Sequence, residues 1–170
     1  MLAGCVGNVP GNNAGPDCAT YCGKVMTNCT GSNAQYTAME NCMGACAAFT
    51  PGTGSDTSGN TVGCRTYHAD NAATDPVTHC IHAGPTGGGV CGSLCDGFCA
   101  IVDDICPTQY PSGTCATLCP TYDKTMPYSL NATGNTYACR AYHAQNAAAS
   151  AAQAMVHCPH TGSDGGGVCM

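Results

Sequence analysis

The chain has 170 residues, 17 of them cysteine, with 4 basic and 10 acidic residues and a formal net charge of −6 at pH 7. Leu, Ile, Val and Phe together supply only 18 residues, too few to offset the ordering entropy of folding by apolar burial alone, so cross-links or metals must add stability. The few basic residues exclude a nucleic-acid-binding protein, and the lack of a run of 18 apolar residues excludes a membrane-spanning segment.

Residues 1–17 form a Gly-, Asn- and Pro-rich segment that we expect to be a flexible leader. Within it, Leu2-Ala3-Gly4-Cys5 resembles the lipobox of bacterial lipoproteins, although no hydrophobic segment precedes it. The resemblance implies lipidation at Cys5 and an extracytoplasmic, periplasmic or cell-surface location. The alternative is an unpaired thiol in a disordered leader. Either interpretation fits an oxidising compartment, because the other sixteen cysteines suit a disulfide framework.

The remainder of the chain is two copies of one unit, residues 18–91 and 95–169, separated by three residues. Residues 58–73 match residues 133–148 at 11 of 16 positions, and residues 79–91 match 157–169 at 9 of 13. Each copy holds eight cysteines, which we expect to pair within their own copy: Cys18, Cys22, Cys29, Cys42, Cys46, Cys64, Cys80 and Cys91 in the first, and Cys95, Cys99, Cys106, Cys115, Cys119, Cys139, Cys158 and Cys169 in the second.

The cysteine spacing predicts a mainly α, disulfide-rich fold without substantial sheet. In each copy the first three cysteines fall on one face of a helix, and the next pair, four residues apart, marks a second helix. Two facing CX3C helices resemble the twin-CX3C helical hairpins of several small disulfide proteins, over the first half of each unit only. An antiparallel hairpin of this kind would pair Cys22 with Cys42, Cys18 with Cys46, Cys99 with Cys115 and Cys95 with Cys119, one choice among the 105 that eight cysteines allow.

A third helix is expected to begin near Asn60 and Asn135, stopping before Pro76 in the first copy and reaching Val156 in the second. The closing Gly-Gly-Gly-Val-Cys segments, 87–91 and 165–169, favour loops held by their last cysteine. The paired aromatics Tyr21/Phe98, Phe49/Tyr122 and Tyr67/Tyr142 are predicted to form each small core. Arg65 and Arg140 are expected to act as forks that bind backbone carbonyls.

All six histidines occupy three equivalent positions per copy: His68, His79 and His82 in the first, and His143, His157 and His160 in the second. The first of each set lies one helical turn after a cysteine, and the other two flank a cysteine in H-C-x-H. The spacing between helix and H-C-x-H differs, 11 residues against 14, yet both ends keep their histidines. Because the cysteines would be bonded in disulfides, the three imidazoles of each unit are the ligands that remain for copper or zinc.

Several neighbours could complete such sites. Tyr67 and Tyr142 precede the helical histidines and could either hydrogen-bond to a ligand or serve as the fourth ligand. Asn71 and Asn146 could orient an imidazole. In the second unit, Met155 or Met170 could add a soft ligand, which slightly favours copper. Covalent c-type haem is excluded because C-x-x-C-H is absent, whereas haem b held by two histidines is a less favoured possibility. The alternative is that each histidine is a packing residue that hydrogen-bonds to carbonyls of the glycine loop.

No catalytic motif and no repeated carboxylate pair is present, so the sequence does not indicate an enzyme. Two functions from different classes follow. The first is a secreted or lipid-anchored metalloprotein with a three-histidine site per repeat, serving metal handling or electron transfer. The second is a structural or interaction module, such as a surface coat, a spacer or an accessory subunit of an envelope complex, with other surface proteins or further copies of itself as partners.

Overall fold

A computed structural model describes residues 15–111, 113–130 and 132–170, and within these ranges the chain forms α-helices and no β-strand. Each half carries four helices. The first half contains α1 (Cys18–Asn28), α2 (Met39–Ala47), α3 (Val62–Asn71) and α4 (Pro76–Ala83). The second contains α5 (Leu94–Ile105), α6 (Thr114–Leu118), α7 (Tyr137–Ala147) and α8 (Ala151–Thr161). The predicted class, a small, mainly helical, disulfide-rich fold, is confirmed. Cys5 lies outside the described residues.

Helix starts follow from side-chain capping. Thr61 and Thr136 accept the backbone N–H three residues on, from Cys64 and Cys139, and so begin α3 and α7 at equivalent positions. Asp75 caps α4 in the same way, and proline follows it at the first helical position, where no N–H is needed. These caps place the first histidine and the H-C-x-H segment of each unit on two separate short helices.

Each unit has four α-helices among the described residues, whereas three were expected. The helix predicted to reach Val156 ends at Ala147. Ser150 takes an extended backbone conformation there, and its hydroxyl accepts from the backbone N–H of Gln153, which starts α8 afresh. An Ala-rich sequence continues a helix by propensity alone, but the serine cap and the disulfide at Cys158 favour a separate helix that folds back onto α7.

Each unit is held by four disulfides, and none joins the two units. The four hairpin pairings have the expected partners, Cys18–Cys46, Cys22–Cys42, Cys95–Cys119 and Cys99–Cys115. The remaining bridges are also equivalent between units: Cys29–Cys80 and Cys106–Cys158 tie the first helix to the H-C-x-H helix, and Cys64–Cys91 and Cys139–Cys169 tie the third helix to the end of the glycine loop.

A buried arginine lies at the centre of each unit and binds carbonyls, as the sequence predicted. The Arg65 guanidinium donates to the carbonyls of Gly84, Thr61 and Pro85 and to Oδ1 of Asn60, and it lies 3.6 Å from the centre of the Phe49 ring. Arg140 makes the equivalent bonds in the second unit and lies over Tyr122. These contacts hold the turn that follows each H-C-x-H helix.

The predicted aromatic core is correct except at one position. Tyr21, Phe49, Phe98 and Tyr122 are buried, whereas Tyr67 is 42% exposed and Tyr142 is half-buried. Two tyrosines that the prediction did not include, Tyr36 and Tyr110, are buried in the core. Their hydroxyls form hydrogen bonds with those of Tyr21 and Tyr122, respectively. Their loops differ in length between copies, so self-comparison does not align them.

The two units pack through α2 and α7. Asn41 donates from Nδ2 to the Gln145 carbonyl and to Oδ1 of Asn146, and the Thr37 hydroxyl also donates to Oδ1 of Asn146. Gly44 lies so close to α7 that a Cβ built on it would be 1.8 Å from the Ala148 carbonyl oxygen. The contact between the units thus combines hydrogen bonds with a close approach of the two backbones. None of the helices described is long and apolar enough to cross a membrane.

Candidate metal centre

In each unit the helical histidine is adjacent to the first histidine of the H-C-x-H helix. Nδ1 of His68 lies 2.9 Å from Nδ1 of His79, and Nδ1 of His143 lies 2.8 Å from Nδ1 of His157. In neutral imidazoles one nitrogen of such a pair donates and the other accepts. The four nitrogens therefore form two equivalent pairs, although 11 residues separate the partners in one unit and 14 in the other.

The ring of the third histidine packs against the ring of the helical histidine. The ring centres of His68 and His82 are 5.0 Å apart, and those of His143 and His160 are 4.7 Å apart. Nδ1 of His82 and Nδ1 of His160 are buried without a hydrogen-bond partner. His82 nevertheless has a hydrogen bond to the backbone of Gly88 in the glycine loop, as the packing alternative predicts for that residue. That all three rings of a unit bind one common ion stays a prediction.

The triple-glycine loop packs closely against the helix that carries the third ring. Gly88 has a positive φ, and a Cβ built on it would lie 2.8 Å from Nδ1 of His82 and 2.9 Å from the Ile81 carbonyl oxygen. Gly166 also has a positive φ, and its Cβ would lie 2.6 Å from the Pro159 carbonyl oxygen and 3.0 Å from Nδ1 of His160. A side chain at either position would clash with the helix backbone and the imidazole and be strained in the left-handed region. The sequence showed the glycines as loop formers but not this contact with the H-C-x-H helix.

Burial favours the neutral form of four of the clustered imidazoles. Desolvation, with smaller contributions from His160 and His157, lowers the pKa of His143 to about 4. Desolvation also lowers the pKa of His68, of His82 and of His157. Neutral nitrogen is the form that binds a metal, so these rings are available as ligands over a wider pH range than free histidine.

A disulfide lies against the helical histidine in both units. Two groups of three side chains bring one potential donor atom each to within 4.8 Å of the others and could hold a metal ion: Cys64, His68 and Cys91, and Cys139, His143 and Cys169. The cysteines of each group are bonded to each other, whereas the thiolate is the ligand that metals prefer. In the oxidised protein the imidazole is therefore the donor of each group that remains available to a metal.

One carbonyl orients the first ring of unit 1. Nε2 of His68 lies 3.3 Å from the Thr57 carbonyl oxygen, which favours a proton on Nε2 and a free lone pair on Nδ1. Thr57 lies in a loop, and no sequence signal indicated it.

The predicted asparagines do not orient an imidazole, and the predicted methionines do not lie against the rings. Asn71 and Asn146 donate from Nδ2 to carbonyls one turn earlier in their own helices, because an asparagine side chain reaches back one turn. Met155 and Met170 are 77% and 73% exposed.

The two predicted tyrosines do lie beside the helical histidines. The rings of Tyr67 and Tyr142 pack edge-on against those of His68 and His143, with ring centres 5.1 Å apart in both units. The hydrogen-bond distance within each Nδ1 pair does not suit haem, whose two axial ligands lie on opposite sides of the iron.

We expect the free energy of unfolding of the metal-free protein to fall as the pH drops from about 6.5 to about 4. His143 titrates near 4 when folded and near 6.5 when unfolded, so the unfolded chain binds more protons within this window, with an effect of at most about 3 kcal/mol. The contribution is complete above pH 6.5 and lost below pH 4. Guanidinium unfolding at pH 7.0 and 4.5, with a chelator present, measures it. His143→Gln should lose part of this dependence, and an unchanged slope would contradict the assignment.

The fold and the site together define a disulfide-stapled, tandem helical-repeat protein with one histidine cluster per unit. Residues 17–96, which are unit 1 and the start of α5, match the model of the BfoA family C-terminal domain. The match covers just under half of the chain, and α5–α8 beyond residue 96 lie outside it.

The curated relatives are fungal. Aurasperone B biosynthesis cluster protein A of Aspergillus niger is 38% identical over 73 residues, which are 42% of this chain and 24% of that protein. Bifonsecin B biosynthesis cluster protein A of Aspergillus brasiliensis is 37% identical over 73 residues, 42% of this chain and 25% of that protein. This chain therefore spans about a quarter of the length of the relatives it matches, and their names give no catalytic activity. No solved structure matches the chain.

Proposed function

We propose that this protein binds one copper or zinc ion in each unit, through the histidine cluster of α3 and α4 and that of α7 and α8, and serves metal handling or electron transfer. The paired Nδ1 atoms in both units are the observation that carries the proposal. Two separate helices, held by disulfides, present nitrogen lone pairs to one small volume, and the arrangement survives a three-residue change in spacing. We prefer divalent copper, because nitrogen sites bind it more tightly than the other divalent first-row metals, and zinc is the second choice.

The ring exposures suit an exchangeable ion. His68 and His143 are buried, whereas His79, His82, His157 and His160 are half-buried, so each cluster has a closed side and a side open to solvent. A site with open positions can pass its ion or an electron to a partner, whereas a closed tetrahedral site holds its metal permanently.

Copper and zinc titrations of the chelator-treated full chain test this proposal. We expect one ion bound per unit. Changing His79→Ala and His157→Ala together should weaken binding by at least about tenfold, because each unit loses one nitrogen of its pair. Val77→Ala with Met155→Ala is the matched control, since both side chains are 77% exposed on the same two helices. Elemental analysis and a visible spectrum identify the metal. Equal binding by both double variants would overturn the proposal.

One observation favours the alternative, a structural or interaction module without metal. Both nitrogens of His68 already have partners within the protein, His79 and the Thr57 carbonyl, and such bonds can stabilise packing by themselves. A protein of this second kind would bind no ion tightly and would use its units as rigid, protease-resistant spacers. The same titration separates the two functions.

We further propose an extracytoplasmic location, supported by the eight disulfides, with surface proteins or further copies of the chain as partners. A lipid at Cys5 is part of the same proposal, and mass spectrometry of the native protein tests it. The relatives' names associate those proteins with biosynthetic gene clusters. For this chain we propose only an accessory, non-catalytic role in an equivalent setting.

A further inference from the structure

We infer that the disulfide beside each helical histidine masks a second metal site, in which Cys64 and Cys91 bind zinc with His68 once the disulfide is reduced. The second unit has the equivalent set, Cys139, Cys169 and His143. This site differs from the proposed imidazole site in its ligands and in the redox state of the chain, and it does not depend on that site binding copper.

The positions of the donors carry the inference. A sulfur of each cysteine and a nitrogen of the helical histidine lie within 4.8 Å of one another in both units. Nδ1 of His79 is 2.9 Å from Nδ1 of His68, but His79 is not among the three donors that lie close together, so the fourth position is left to a water molecule. Two thiolates and one imidazole with a water in the fourth position are a donor set that zinc takes in proteins. Of the eight disulfides, only Cys64–Cys91 and Cys139–Cys169 are grouped with a histidine in this way among the described residues.

Burial points to the same metal chemistry. Cys64, Cys91, Cys139 and Cys169 have no exposed surface. Two thiolates without a counter-ion would be costly there, and a divalent cation would neutralise them. The thiolates of the reduced chain would be buried, unlike the half-exposed rings of the histidine cluster in the oxidised chain. Reduction would therefore create a buried thiolate site for zinc beside the histidine cluster.

A tertiary phosphine and one water molecule reduce the S–S bond to two thiols, and the phosphine becomes a phosphine oxide. Zn²⁺ then displaces two thiol protons as it binds the two thiolates, and the imidazole of the helical histidine binds as a neutral ligand. Two electrons enter the disulfide, and the metal keeps its oxidation state.

Differential alkylation of the full chain tests the inference. The protein is treated with a phosphine, with and without two equivalents of Zn²⁺, then labelled with N-ethylmaleimide and mapped by mass spectrometry. We expect zinc to slow labelling of Cys64, Cys91, Cys139 and Cys169 by about tenfold or more, and to leave the other cysteines of the repeats unprotected.

His68→Ala provides an internal control, because the second unit of the same molecule is unchanged. The variant should lose protection at Cys64 and Cys91 and keep it at Cys139 and Cys169. If zinc protects other cysteines instead, if it protects none, or if His68→Ala leaves Cys64 and Cys91 protected, the inference is overturned. The experiment uses only reduced protein, so its failure leaves the proposed imidazole site of the oxidised protein untouched.

Discussion

Replacing Arg65 with alanine is expected to lower the free energy of unfolding by more than about 4 kcal/mol. The guanidinium is fully buried and supplies the hydrogen bonds of three carbonyls and one side-chain amide oxygen. Without it, the Pro85 carbonyl and Oδ1 of Asn60 lose this donor, and the Gly84 and Thr61 carbonyls keep only one backbone N–H each. The face of Phe49 also loses its packing partner. Guanidinium unfolding followed by circular dichroism measures the loss.

Arg65→Lys should recover only a small part of this stability, since an ammonium group cannot bind the turn carbonyls and Asn60 in the same planar geometry. Lys24→Ala is the control. Lys24 also forms a polar contact across the first unit, at 2.7 Å from Asp70, but both side chains are exposed, so its loss should cost less than about 1 kcal/mol. A similar small effect for Arg65→Ala would show that the turn after α4 is held by other contacts.

Gly44→Ala is expected to destabilise the contact between the units by about 3 kcal/mol. The added methyl group would meet the backbone carbonyl of Ala148, which a rotamer change cannot move. Moving α2 away from α7 would also break the bonds of Asn41 and Thr37 to the second unit. Guanidinium unfolding and amide hydrogen exchange in α7 report the change.

Gly23→Ala is the matched comparison, because Gly23 lies inside α1 with no atom within 4 Å of a built Cβ. Alanine is the better helix former, so this variant should be more stable than the wild type by roughly 0.5–1 kcal/mol. The two glycine variants should thus differ in sign. If Gly44→Ala also stabilises the protein, the units are not in the contact described.

The sequence by itself determined the class of fold, the two units, the hairpin pairings and the fork role of the arginines. These features depend on local spacing: cysteines four residues apart face one side of a helix, and a disulfide joins only positions that two helices can bring together. The histidines were visible as a set for the same reason, since repetition at equivalent positions does not require knowledge of packing.

Only the tertiary structure decided how the equivalent positions are used. Asp70 and Gln145 are equivalent in sequence, yet Asp70 is exposed and pairs with Lys24, whereas Gln145 is buried under α2. Three further contacts join different elements of the fold: Nδ1 of His68 with Nδ1 of His79, the Gly88 backbone with His82, and His68 with the Cys64–Cys91 disulfide. Local spacing cannot encode them, because they depend on how the helices cross once the disulfides and the buried arginine have fixed the turn.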